Sequence, residues 1–268
     1  MSLLIRGISH CANAVKSKLQ QERRQVMCRL KLFSTLLLIP HLVAQPMIGG
    51  SNVSFDAHRI RTGTFRYSDS INGRAVGESR IRVERLGETG KVVFSNVVDG
   101  VSDQQWKAVI TPDFRPVSAE LTFAGKEPRK AFELSYFQDH VSGIAAVRGD
   151  EGFVDRHIDQ KIAMDTVDQR IDWAAVMALR SYRKGEVFKF HVFDPGDGNS
   201  EIVARVRGVE MIHTKAGTFR AIRILYTTKK PRGAQTFEVF LNQEMPRFLI
   251  REIFPWGMTS ELVETSQP

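Results

Sequence analysis

Apolar and polar positions alternate along most of this chain with the period of two expected of strands that turn one face to a core and the other to solvent. The run Arg80-Ile81-Arg82-Val83-Glu84 shows it plainly, with apolar residues at every second position and charge between them. Residues 62–67 and 74–86 flank Asn72-Gly73, and an Asn-Gly pair between two such runs predicts a tight hairpin. Further strands are predicted at 91–98, 105–111, 117–123, 130–138 and 141–148, separated by turn formers such as Pro112-Asp113 and Asp139-His140. The second half repeats the rhythm at 186–194, 200–206, 209–213, 218–228, 236–241, 248–254 and 259–263.

One segment breaks it. In Asp172-Trp173-Ala174-Ala175-Val176-Met177-Ala178-Leu179-Arg180 the residues are good helix formers, with Trp173, Val176, Met177 and Arg180 at helical spacing. Asp172 is placed to cap the start, and Gly185 to stop the element. The pattern as a whole predicts a mainly β fold: a large curved antiparallel sheet or half-barrel, with one short helix at about 172–182 packed against it as a lid. No internal repeat, low-complexity tract or long linker divides residues 45–268, which read as a single β-rich domain.

The charge changes less than it first suggests. The formal net charge is +8, but residues 1–44 carry seven Lys and Arg against one Glu, which accounts for six of those eight charges. The remainder is close to neutral, so the basic balance is no argument for a nucleic-acid partner. Residues 27–44 have the layout of a secretory signal: basic Arg29 and Lys31, an apolar core at 32–39, and small residues near Ala44. That apolar stretch is shorter than the roughly 20 residues a membrane span needs. Cleavage near Ala44 is expected, leaving a periplasmic or secreted chain. The leader before Met27 does not fit such a signal, and Met27 is the expected start. Both cysteines, Cys11 and Cys28, precede the expected cleavage point, so no disulfide or thiol chemistry is expected of residues 45–268.

Candidate chemistry is sparse. His140, His157, His191 and His213 share no ligand spacing with one another or with a carboxylate, so no metal is expected. No nucleophile elbow, glycine-rich loop before a helix, or distinctive Ser/His/Asp order points to catalysis, and neither an enzyme nor a cofactor is expected. Asp165, Asp168 and Asp172 cluster before the helix and could hold a cation or pair with Arg170 and Arg180, but helix capping and surface solvation are the expected explanation. What remains is aromatic and apolar: Trp173 and Met177 on the helix, and Phe188, Phe190, Phe240 and Trp256 on strands. These six are the candidate lining of a ligand cavity.

Residues 167–268 also carry a set of matching positions. They are Leu179-Arg180; Gly185, Phe188, Phe190, Val192 and Asp194; Val206, Gly208, Glu210 and Thr214; then Ala216-Gly217-Thr218-Phe219-x-Ala221, Leu241, and Gly257-x-Thr259-x-x-Leu262. With these the chain resembles the domain of unknown function family 3108, and Pro112-Asp113 with Pro116-Val117 extends the likeness into the first half. It departs where the family has Ser in the helix, here Ala174 or Ala175, and Trp opening a late strand, here Phe240. The resemblance implies an envelope protein whose fold looks like the half-barrels of lipoprotein carriers. Two functions follow as expectations. One is a binding module holding a lipid or other apolar small molecule; the other is a non-enzymatic scaffold with a packed core and an envelope protein as partner.

Overall fold

The computed structural model describes residues 53–100, 103–123, 129–149, 152–230 and 233–266. The expected signal and leader at 1–44 lie outside them. Two meanders make up the fold. The first runs through β1 (Gly63–Ile71), β2 (Arg74–Arg85), β3 (Val92–Asp99), β4 (Gln104–Ile110), β5 (Pro116–Phe123), β6 (Arg129–Tyr136), β7 (His140–Gly149) and β8 (Gly152–Lys161). The second runs through β9 (Thr166–Asp168), β10 (Val187–Asp194), β11 (Gly198–Thr214), β12 (Gly217–Lys230), β13 (Gly233–Asn242), β14 (Leu249–Ile253) and β15 (Met258–Ser266). Within each meander every strand pairs with its sequence neighbours, and β1 pairs with β15, so both meanders merge into one sheet of order β8 to β1, then β15 back to β9.

This sheet corrects the expected half-barrel. It is open, with β8 and β9 as its two edges, and these do not pair with each other. Alternation reports that one face of a strand is buried; it carries no information on how far a sheet curls. The edges explain why closure fails: β9 is three residues long and runs parallel to β10. On β8, residues 153–157 are exposed on both faces, and of the described side chains at 153–161 only Ile158 is buried. Both strands were missing from the alternation reading for the same reason, since neither has a buried apolar face long enough to register.

Elsewhere the local chemistry works as expected. Asn72 and Gly73 take φ of 51° and 77°, the positive values a two-residue hairpin requires. The two strands expected at 200–206 and 209–213 are one strand, β11, whose register to β12 shifts between Val206 and Gly208. Gly143 lies where backbone passes backbone: a methyl group there would sit 2.0 Å from the Glu133 carbonyl oxygen.

The helical segment is shorter than expected and differently placed. A 3-10 turn at Gln169–Ile171, α1 (Asp172–Ala175) and a second 3-10 turn at Val176–Ala178 follow one another, and Leu179 returns to extended backbone. The cap is Asp168, whose side chain accepts from the Arg170 backbone N–H at 2.8 Å, while Asp172 stands inside the helix. Every residue from Asp172 to Leu179 is buried. The segment is therefore a plug within the core and not a lid over it, and Ala174, Ala175 and Ala178 let the surrounding strands approach it closely. Phe55 packs on Phe114 and Phe190 at centroid distances of 5.6 and 5.5 Å, and Phe94 meets Trp173 edge-on at 6.1 Å. Each such side chain contributes on the order of 1.5 to 3 kcal/mol through burial.

Candidate functional site

On β1 the alternation that sends Phe65 and Tyr67 inward arrives next at Asp69, so the strand period carries a carboxyl to the buried face. Neighbouring strands do likewise with Ser79 on β2, Asn96 on β3, Glu252 on β14 and Ser260 on β15. The register then aligns them, since Ser260 lies opposite Asp69 on one side and Glu252 on the other. Asp172 of α1 and Tyr226 of β12 complete this polar floor. The Tyr226 hydroxyl donates to Glu252 Oε1 at 3.0 Å and lies 3.5 Å from Asp172 Oδ1.

Aromatic walls surround the floor and enclose a cavity of about 500 Å³, a volume typical of small-molecule sites. The chain has three tryptophans, and all three, Trp106, Trp173 and Trp256, line it. Trp173 is fixed by its indole N–H, which donates to the Arg170 carbonyl at 2.9 Å. Phe237 stacks on Tyr226 at 4.9 Å and meets Trp256 edge-on at 6.0 Å. Trp256 is 55% exposed, which puts a large aromatic at the mouth.

Asp69 is 3% and Glu252 6% exposed, and no basic side chain acts on either. Burial pushes the Glu252 carboxyl up to about 8, with the Asp172 charge adding to it, the Tyr226 hydroxyl opposing and Asp69 adding again. Asp69 is raised too, chiefly by burial, against the hydroxyls of Ser260 and Ser79. Two acceptors in the cavity wall, Asp69 Oδ1 and Asn96 Oδ1, have no hydrogen-bond partner.

The raised Glu252 fixes the sign of a pH effect. Its folded carboxyl binds a proton more tightly than the unfolded one. Its contribution is therefore fully present below the unfolded value near 4.5 and is lost as pH rises through about 8. Glu252→Gln should remove that slope. Urea unfolding of the two proteins at pH 5 and pH 8 is expected to show the variant gaining on wild type at the higher pH. An unchanged difference between the two pH values would show that Glu252 ionises normally.

A second buried polar group lies beside the cavity. The Tyr136 hydroxyl donates to Asp168 Oδ2 at 2.5 Å, and Arg170 reaches Asp168 Oδ1 at 3.4 Å and Asp194 Oδ2 at 2.5 Å. This network ties β6, β9, β10 and the 3-10 turn together.

Of the six residues singled out from the sequence, the structure brings Trp173 and Trp256 to the cavity. Met177 is buried in the plug, Phe190 is buried against Phe55, Phe188 is half-buried against the core, and Phe240 is buried beneath Arg223 and Arg251. The residues that sequence reasoning missed are Asp69, Asn96, Tyr226 and Glu252. Asp69 had a signal: it sits at the inward parity set by Phe65 and Tyr67. A second hollow of about 750 Å³, beside Phe114, Asp165 and His191, holds an Asp165–His191 contact of 2.7 Å.

A family model described as protein of unknown function (DUF3108) matches residues 54–263. No curated protein matches the sequence. Among solved structures, a beta-barrel-like protein of the domain of unknown function DUF1849 from Brucella abortus is similar in fold. It has 10% identity and a TM-score of 0.53, over 79% of this chain and 100% of that one. A protein with a YmcC-like fold from Bacteroides fragilis matches at 10% identity and a TM-score of 0.38, over 80% of this chain and 100% of that one. Only the first likeness is strong enough to bear on the fold. The barrel-like description belongs to that protein; here the two edge strands do not pair with each other.

Proposed function

The chain belongs to the DUF3108 family of proteins of unknown function, and from that premise we propose that it is a non-enzymatic cell-envelope protein that holds an apolar, lipid-like small molecule in the tryptophan-lined cavity. The observation that carries this reading is the convergence of all three tryptophans on one hollow. Large apolar rings left facing a cavity are stabilised by an apolar occupant. The envelope location is supported by the signal layout of residues 27–44. The non-enzymatic reading is supported by the company the hydroxyls keep: Ser79 and Ser260 act on the Asp69 carboxyl and not on an imidazole that would activate them.

A scaffold with a packed interior is the second reading. It is favoured by the plug, whose residues from Ala174 to Leu179 fill the core between the two meanders. The tryptophans provide the test without a label. Titration with 1-decanol, decanoate and decylamine, each below its micelle concentration, should give a saturable change in intrinsic fluorescence with at least one of them. No saturable change with any of the three would move the assignment to the scaffold.

A further inference from the structure

Resting on that cavity reading, we propose that the polar end of the ligand is a cation with several N–H donors, a primary ammonium or its like, received by Asp69, Asn96 and Glu252. The floor of the cavity presents two buried acceptor atoms that no donor reaches. Asp69 Oδ1 and Asn96 Oδ1 are unpartnered although their residues are only 3% and 8% exposed, and a buried acceptor without a donor is costly. An alcohol would bring one donor and a carboxylate none, whereas an ammonium brings three. Charge points the same way. Asp69 and Glu252 have no cationic partner among the described residues, and Arg170, the one basic residue in the cavity wall, is held by Asp168 and Asp194. The walls add to it, because tryptophan faces attract cations better than other rings do.

Recognition of this kind is coupled to protons. The groups facing Glu252 are Tyr226 from β12, Asp172 from α1, and Asp69 and Tyr67 from β1. None of these is basic. An ammonium entering at neutral pH therefore favours loss of the Glu252 proton, and its affinity should rise as pH passes through about 8. A carboxylate of the same chain length should behave in the opposite sense.

The experiment is a fluorescence and calorimetric titration of the full chain with decylamine, 1-decanol and decanoate at pH 6 and pH 9. The expected result is decylamine at least tenfold tighter than decanol at pH 9, a smaller preference at pH 6, and decanoate weakest. Calorimetry in buffers of different ionisation enthalpy should show proton release on decylamine binding at pH 7. Glu252→Gln, checked for fold by circular dichroism, should lose the pH dependence. Decanol and decylamine binding within twofold of each other at both pH values would overturn the ammonium assignment and leave the apolar cavity standing, with water satisfying the two acceptors. Binding by none of the three would overturn both. The wild-type pH profile decides the matter even if the variant does not fold.

Discussion

Replacing Arg170 by alanine is expected to destabilise the protein by about 3 to 5 kcal/mol, the cost of breaking a buried ion pair from one side. The guanidinium lies between Asp168 and Asp194 and over the Phe132 ring at 4.8 Å. The Asp168 side chain is fully buried, so without Arg170 it keeps its desolvation penalty and retains only hydrogen bonds such as that from Tyr136. Burial already raises the Asp168 pKa, and protonation relieves the loss, so the deficit should shrink as pH is lowered. The comparison is Arg82→Ala, which removes an exposed pair with Glu84 and should cost about 0 to 1 kcal/mol. Chemical unfolding at pH 7 followed by circular dichroism measures both. Similar small values for the two variants would show that the network is not what ties β6 to β10.

Trp173→Ala is expected to cost about 3 to 5 kcal/mol, as truncation of a buried large aromatic does when its surroundings relax only in part. The variant loses the edge contact with Phe94 and the hydrogen bond to the Arg170 carbonyl. It also enlarges a cavity that already adjoins the indole, so little collapse can recover the lost contacts. An unchanged thermal midpoint would show that the plug is peripheral to stability.

How far these features could be read from the sequence depends on what alternation encodes. It located the strands around Ile81, Val83 and Asn72-Gly73 because each has one buried and one solvated face and a turn that only certain residues permit. It missed β8, where Phe153, Asp155 and His157 are all exposed, and β9, too short to show a period. Curvature was read into the pattern where none is written: the same alternation serves an open sheet and a closed one. Within the site, the aromatic wall was partly visible through Trp173 and Trp256. The floor was not, because Glu252 in Leu249-Ile250-Arg251-Glu252-Ile253 looks like one more outward charge until β14 is placed against β13 and β15. Asp172 reads as a cap because it stands just before the helix formers that begin at Trp173; the chain in fact begins to coil three residues earlier, at Gln169.

The seam between β1 and β15 bears on how the molecule is made. Arg66 and Glu264, joined across it at 2.8 Å, are 198 residues apart in sequence. During synthesis the first meander can assemble as it emerges, since all its pairings are between consecutive strands. One flank of β1 nevertheless stays bare until β15 leaves the ribosome, and one flank of β14 stays bare with it. β15 fills the place between these two flanks in the middle of the finished sheet and is its keystone. A nascent or truncated chain that stops before Met258 would present two strands, β1 and β14, each with one flank unpaired, and intermolecular pairing would compete with completion.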